Sequence, residues 1–258
     1  PSFDPANFNV KVSDVPIWQE TAVGERLELK MRFSNYGEVV TNRTFGPKWS
    51  CNWNSSVTEI NAGTNRIVFP SGSIVLLRLS TNGAYLPPDA LDGYLVKTGS
   101  VYRYERPDGR SLEYALSTGS TNVYLLSAVR DAWSNTVSVT YTNDRLHRVT
   151  QTSPNSGRYL EFAYSGTNSR AVSVSTEPTA SRTATFFYST SGVLTNVVDM
   201  GGYSYSYIYT NEYLARVLKG ASERLAVTYS STPNTWTATN SYWVKLADAG
   251  GFTRTFTW

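Results

Sequence analysis

One short phrase returns five times in the second half of this chain, and its spacing limits what the chain can fold into. It reads Val-Thr-Tyr-Thr-Asn-Asp-Arg-Leu from Val139 to Leu146, Phe-Ala-Tyr-Ser-Gly from Phe162, and Phe-Phe-Tyr-Ser-Thr-Ser-Gly-Val-Leu from Phe186 to Leu194. It comes again as Tyr-Ile-Tyr-Thr-Asn-Glu-Tyr-Leu from Tyr207 to Leu214 and as Val-Thr-Tyr-Ser-Ser from Val227. The anchoring tyrosines, Tyr141, Tyr164, Tyr188, Tyr209 and Tyr229, are 23, 24, 21 and 20 residues apart. A recurrence in this range marks an architecture built from one supersecondary unit that cannot bury its apolar face alone.

Each copy carries the same instructions. Apolar residues alternate with small polar ones up to the tyrosine, as in Val137, Val139, Tyr141 and Leu225, Val227, Tyr229. Such period-2 alternation is a half-buried strand. Turn formers follow, and then a leucine (Leu146, Leu194, Leu214) opens a return strand. One repeat is therefore one hairpin. The same form occurs earlier around Pro70-Ser71-Gly72 and Pro107-Asp108-Gly109. The 35 residues between Phe69 and Tyr104 imply an insertion over Tyr85 to Leu95, with a helical turn after Asp89.

These residues resemble the tyrosine-aspartate repeat of the RHS superfamily, which includes bacterial Rhs proteins, the shell subunits of insecticidal toxin complexes and the teneurins. The consensus, roughly Tyr-x-Tyr-Asp-x-x-Gly-Arg-Leu-x-x-Val, is matched in part by Tyr205 to Tyr209, Ser191 to Leu194 and Asp144 to Val149. The aspartate is replaced by Thr142, Ser165, Ser189, Thr210 and Ser230, whose hydroxyls can still bond into a turn. A linker phrase, Leu-x-x-Val-x-Asp, recurs at Leu126 to Asp131 and Leu194 to Asp199. Phe45 to Trp53 is similar to the Gly-x-Gly-Trp phrase that leads into the family's first repeats.

The resemblance implies an all-β fold of consecutive antiparallel hairpins winding as a curved, spiralling sheet into part of a hollow shell. Its partners would be a polypeptide cargo or further repeats of the same protein. A β-propeller is the competing fold, since two periods would make one blade. The chain divides into an N-terminal β region with the lead-in over 1–65, degenerate early repeats over 66–130 and tyrosine-anchored repeats over 131–258. The last two are read as continuous.

Composition narrows the function. Twenty-three basic against 20 acidic residues, scattered rather than blocked, disfavour a nucleic-acid partner. The single cysteine, Cys51, and single histidine, His147, leave no disulfide framework and no metal-ligand spacing. No cofactor motif, phosphate loop or nucleophile elbow occurs, and His147 falls in a repeat position exposed to water, so no catalytic residue is assigned and a non-enzyme is expected. No apolar run reaches membrane-spanning length. The Ser/Thr/Asn-rich make-up suits a secreted or surface protein. A second function class, adhesion or glycan binding, would use exposed aromatics such as Trp236 and Trp243 as stacking faces. For Trp49 and Trp53, packing inside the sheet is favoured over sugar stacking, because large aromatics serve cores more often than ligands.

Overall fold

The computed structural model describes residues 2–4, 9–21, 26–35, 44–88, 93–153, 157–165, 170–176, 182–230 and 243–257. Every regular element among them is a strand, and every pairing is antiparallel.

The first four strands, β1 (Ser2–Asp4), β2 (Asn9–Gln19), β3 (Leu27–Ser34) and β4 (Trp49–Cys51), form a separate sheet in chain order. In β3 the alternation in the sequence is realised residue by residue. Leu27, Leu29, Met31 and Phe33 are buried, while Glu28, Lys30, Arg32 and Ser34 face the other way. Pro16, which cannot donate to a ladder, sits in a bulge of β2 between Asp14 and Ile17. Its carbonyl accepts the amide of Met200 at 2.9 Å.

The remaining strands make one continuous sheet. Its first part is β5 (Ser56–Asn61), β6 (Thr64–Val68), β7 (Ile74–Leu79), β8 (Tyr85–Leu86), β9 (Tyr94–Thr98), β10 (Val101–Glu105), β11 (Ser111–Leu116) and β12 (Val123–Arg130). Each pairs with the next, and β12 returns to pair with β5. The second part is β13 (Thr136–Thr142), β14 (Arg145–Ser153), β15 (Tyr159–Tyr164), β16 (Ala171–Ser175), β17 (Thr183–Tyr188) and β18 (Leu194–Val198). It continues through β19 (Ser204–Thr210), β20 (Tyr213–Lys219), β21 (Ser222–Tyr229), β22 (Trp243–Asp248) and β23 (Thr253–Thr257).

The edge of β12 opposite β11 is shared. Val123 to Leu125 pair with β5, and Ala128 to Arg130 pair with β13. The chain closes one winding and starts the next displaced along the strand, which makes the sheet a spiral. A propeller is excluded, because the sheet is not divided into blades. The expected insertion takes a regular form. Tyr85–Leu86 and Tyr94–Thr98 are strands of the sheet, with Tyr85 paired to both Leu79 and Leu95. The long interval thus holds two extra strands, hidden in the sequence by the brevity of β8 and by Pro87-Pro88. The helical turn expected after Asp89 lies outside the described residues.

The N-terminal region packs on the tyrosine-bearing face of the second part. Phe45 meets Phe186 with ring centroids 4.9 Å apart, Trp49 meets Tyr207 edge-on at 4.7 Å, and Phe33 meets Tyr209 at 5.8 Å. Both sheets thereby share one core. Each large side chain buried there contributes about 1.5–3 kcal/mol. Trp49 and Trp53 are only 1% and 4% exposed, so both are packing residues. Over the described residues the chain's own first strands pack against the tyrosine-bearing strands of the second part.

Candidate functional site

The repeated tyrosines form the most regular constellation in the molecule. Register shifts occur at Thr140/Tyr141, Ala163/Tyr164, Phe187/Tyr188 and Ile208/Tyr209, leaving His147, Val172, Thr195 and Ala215 as the extra residues of four β-bulges. In a regular strand, residues three apart face opposite sides. The bulge puts both members of Leu146/Val149, Leu194/Val197 and Leu214/Val217 in the core, and this is the physical reason for a Leu-x-x-Val spacing.

Beside each bulge a hydroxyl reaches one repeat back. Tyr164 donates to the carbonyl of Leu146 at 2.8 Å, Tyr188 to Ala171 at 2.6 Å, Tyr209 to Leu194 at 2.9 Å and Tyr229 to Leu214 at 3.0 Å. Each accepting residue is the cross-strand partner of the preceding tyrosine. Tyr141, the first of the series, points to the carbonyl of Trp53 at 3.4 Å. The tyrosines therefore zip successive hairpins together on one face. Burial raises the phenol of every member from Tyr141 to Tyr209, so these hydroxyls stay protonated and able to donate.

The N-terminal sheet reads the same hydroxyls. The indole N–H of Trp49 donates to Tyr209 at 2.9 Å and the Asn35 amide to Tyr229 at 2.7 Å. Tyr207 donates to Asp14 at 3.2 Å. Burial raises the Asp14 carboxyl, against the lowering effect of the Val15 amide and that hydroxyl.

At the hairpin tips the substitutes for the family aspartate behave unequally. Ser189 accepts the amide of Val193 at 3.1 Å and Ser230 that of Trp243 at 2.9 Å. Aspartates work at the linkers instead. Asp131, Asp199 and Asp248 each accept the amides two and four residues ahead at 2.8 to 3.0 Å. Asp144 ties its tip to the neighbouring hairpin, accepting from the amides of Thr118 and Gly119 at 3.1 and 2.9 Å.

A second site was not expected from the sequence. A cleft of about 570 Å³ lies between the outer face of the N-terminal sheet and the hairpin joining β6 to β7. Lys11, Lys30, Arg32 and Lys48 line it with Ser13, Ser34, Ser50, Ser71 and Ser73, and no carboxylate is among its described lining residues. The alternation of Lys30 and Arg32 with Leu29 and Met31 was the only sequence signal, and it reads equally well as a solvated face.

Of the suggested stacking residues, Trp243 is 37% exposed, and Trp236 lies outside the described residues. Trp133, in the turn between β12 and β13, is 83% exposed and is the more accessible indole. Among the described residues no group of three or more His, Cys, Asp or Glu could hold a metal ion. His147 is exposed on β14, and Cys51 is buried with its thiol pushed up to about 12 by desolvation.

No protein-family model matches the chain, and no curated protein matches it in sequence. Among solved structures it is similar to a chain of the Tc holotoxin pore of Photorhabdus luminescens, with a TM-score of 0.41 and 11% identity. The match covers 85% of this chain and 17% of that one. At this similarity the fold assignment rests on the strand order and registers themselves: an all-β protein of consecutive antiparallel strands in a curved sheet.

Proposed function

We propose that the chain is a non-catalytic wall segment of RHS type in a secreted or surface protein, and that the wall encloses or presents a C-terminal polypeptide such as a toxin. The observation that supports it most is the hydroxyl-to-carbonyl zipper, repeated over four successive hairpins. It commits the most distinctive side chains of the repeat to holding strands together. Burial of the tyrosine face beneath the N-terminal sheet means that cargo would meet other surfaces of the native protein.

Limited proteolysis of the full native product tests this reading. A C-terminal segment that resists trypsin in the folded protein and is cut once the wall is opened by denaturant would support it. A native product with nothing beyond the repeats, or with a tail cut equally fast in both states, would overturn it.

Glycan binding is retained as a second reading because of the exposure of Trp243. It requires a signal on a glycan array that Trp243→Ala removes.

A further inference from the structure

The cleft above the N-terminal sheet stands apart from the zipper and does not depend on what the wall encloses. Arg32 sits at its centre, paired across strands with Ser13 on one side and Ser50 on the other. Its guanidinium is anchored to the carbonyl of Pro70 in the overhanging hairpin, so it is held in place rather than free in solvent. Lys30 lies two residues along the same face of β3, a step of roughly 6.5 Å. Among the described residues no carboxylate lies within ion-pair distance of Lys30 or Arg32. Glu28, two residues before Lys30 on the same face of β3, has Arg26 at 3.8 Å.

Desolvation lowers the pKa of Arg32 and of Lys48, outweighing the opposing pull of Glu28 on the first and of Glu212 on the second, so both are partly buried cations whose charge is only partly offset. Lys48 directs its ammonium to the carbonyl of Glu212 at 2.8 Å, so it adds to the positive field without occupying the cleft centre. An anion entering here would meet positive charge and several hydroxyls in one concave space.

We infer that the cleft binds a small polyanion, sulfate or phosphate groups carried on a sugar-sized body, through Lys30, Arg32 and the serine hydroxyls around them. The volume suits a ligand of one or two sugar rings. The hydroxyls suit oxyanions and ring hydroxyls alike. An acidic peptide fits less well, because extended peptides bind by completing a sheet edge and this cleft lies on a sheet face.

Titration calorimetry of the full chain with a fully sulfated heparin disaccharide, with the same disaccharide lacking sulfate and with inorganic phosphate tests the inference. Binding of the sulfated probe alone is expected, weakening about tenfold in Lys30→Gln and more in Lys30→Glu, as for loss of a charge-assisted contact. Lys245→Glu, an equal charge change on the exposed face of β22, should leave it unchanged. Thermal melts of each variant confirm that the fold is retained. The inference is overturned if the wild type ignores the sulfated probe, if phosphate alone binds as tightly, or if Lys30→Glu and Lys245→Glu weaken binding equally.

Discussion

Tyr209 and Trp49 meet through one hydroxyl that serves both sheets: it donates to the carbonyl of Leu194 at 2.9 Å and accepts the indole N–H of Trp49 at 2.9 Å. A residue of the repeat and a residue of the lead-in, 160 positions apart, thus share a single oxygen. Tyr188 has the simpler arrangement, with its hydroxyl on the carbonyl of Ala171.

Removing the two hydroxyls should therefore have unequal effects. Tyr209→Phe leaves a buried N–H and a carbonyl without their partner and is expected to cost about 2–3 kcal/mol, whereas Tyr188→Phe strands one carbonyl and costs about 1 kcal/mol. Urea denaturation of the two variants at unchanged m-value measures the difference. Equal losses would mean that Trp49 does not depend on the tyrosine zipper.

The two-residue turns of the repeats carry strain that one substitution can relieve. Asn211 and Glu212 both have positive φ, 51° and 68°, the pair of angles for which Asn-Gly is the preferred sequence. Glu212→Gly should stabilise the protein by about 1 kcal/mol, and it keeps the backbone carbonyl that Lys48 uses. Differential scanning calorimetry should show a higher Tm.

Asp144 occupies the equivalent turn position, at φ 59°, but the same replacement there should be harmful. Burial acts to raise its carboxyl, yet the bonds from Ser117, Thr118 and Gly119 outweigh it and hold the group below its usual value. A carboxylate depressed in the folded state stabilises above its unfolded pKa, about 3.9, and loses that contribution as pH falls through the folded value. Asp144→Asn should thus be less stable by about 1 kcal/mol at pH 7, after allowance for partial exposure, with the gap closing below pH 4. Melts at pH 7, 4 and 2.5 follow it. Gly119→Ala should act similarly, since a Cβ there would lie 2.4 Å from the Asp144 oxygen.

How far the sequence reached is clearest at these residues. Tyr141 to Tyr229 announced hairpins because alternation and turn chemistry are local and are repeated five times. The burial of Trp49 and Trp53 was also expected, from residue type alone. Their attachment to Tyr209 and to the carbonyl of Glu28 was not, because nothing local encodes a contact across the chain. The bulges were within reach, for a Leu-x-x-Val spacing with both residues apolar contradicts a regular strand. The cleft was not, since Lys30 and Arg32 gain their setting only when the Val68–Ile74 hairpin closes over them.

The bulge itself can be tested at His147. Its side chain is exposed, so His147→Ala should change stability by no more than about 0.5 kcal/mol. Deleting His147 is different in kind. The shortened strand would still place Leu146 and Val149 on one face, now two residues apart, so the hairpin has a regular alternative and the core pattern survives. What is lost is the break in the ladder that leaves the Leu146 carbonyl for the Tyr164 hydroxyl. Deletion should cost about 1–2 kcal/mol, and Tyr164→Phe, worth about 1 kcal/mol in the parent protein, should become nearly silent in the deleted one. A double-mutant cycle by urea denaturation reads this coupling directly. Additive losses would show that the bulge and the tyrosine contribute independently, and that the zipper does not need the extra residue.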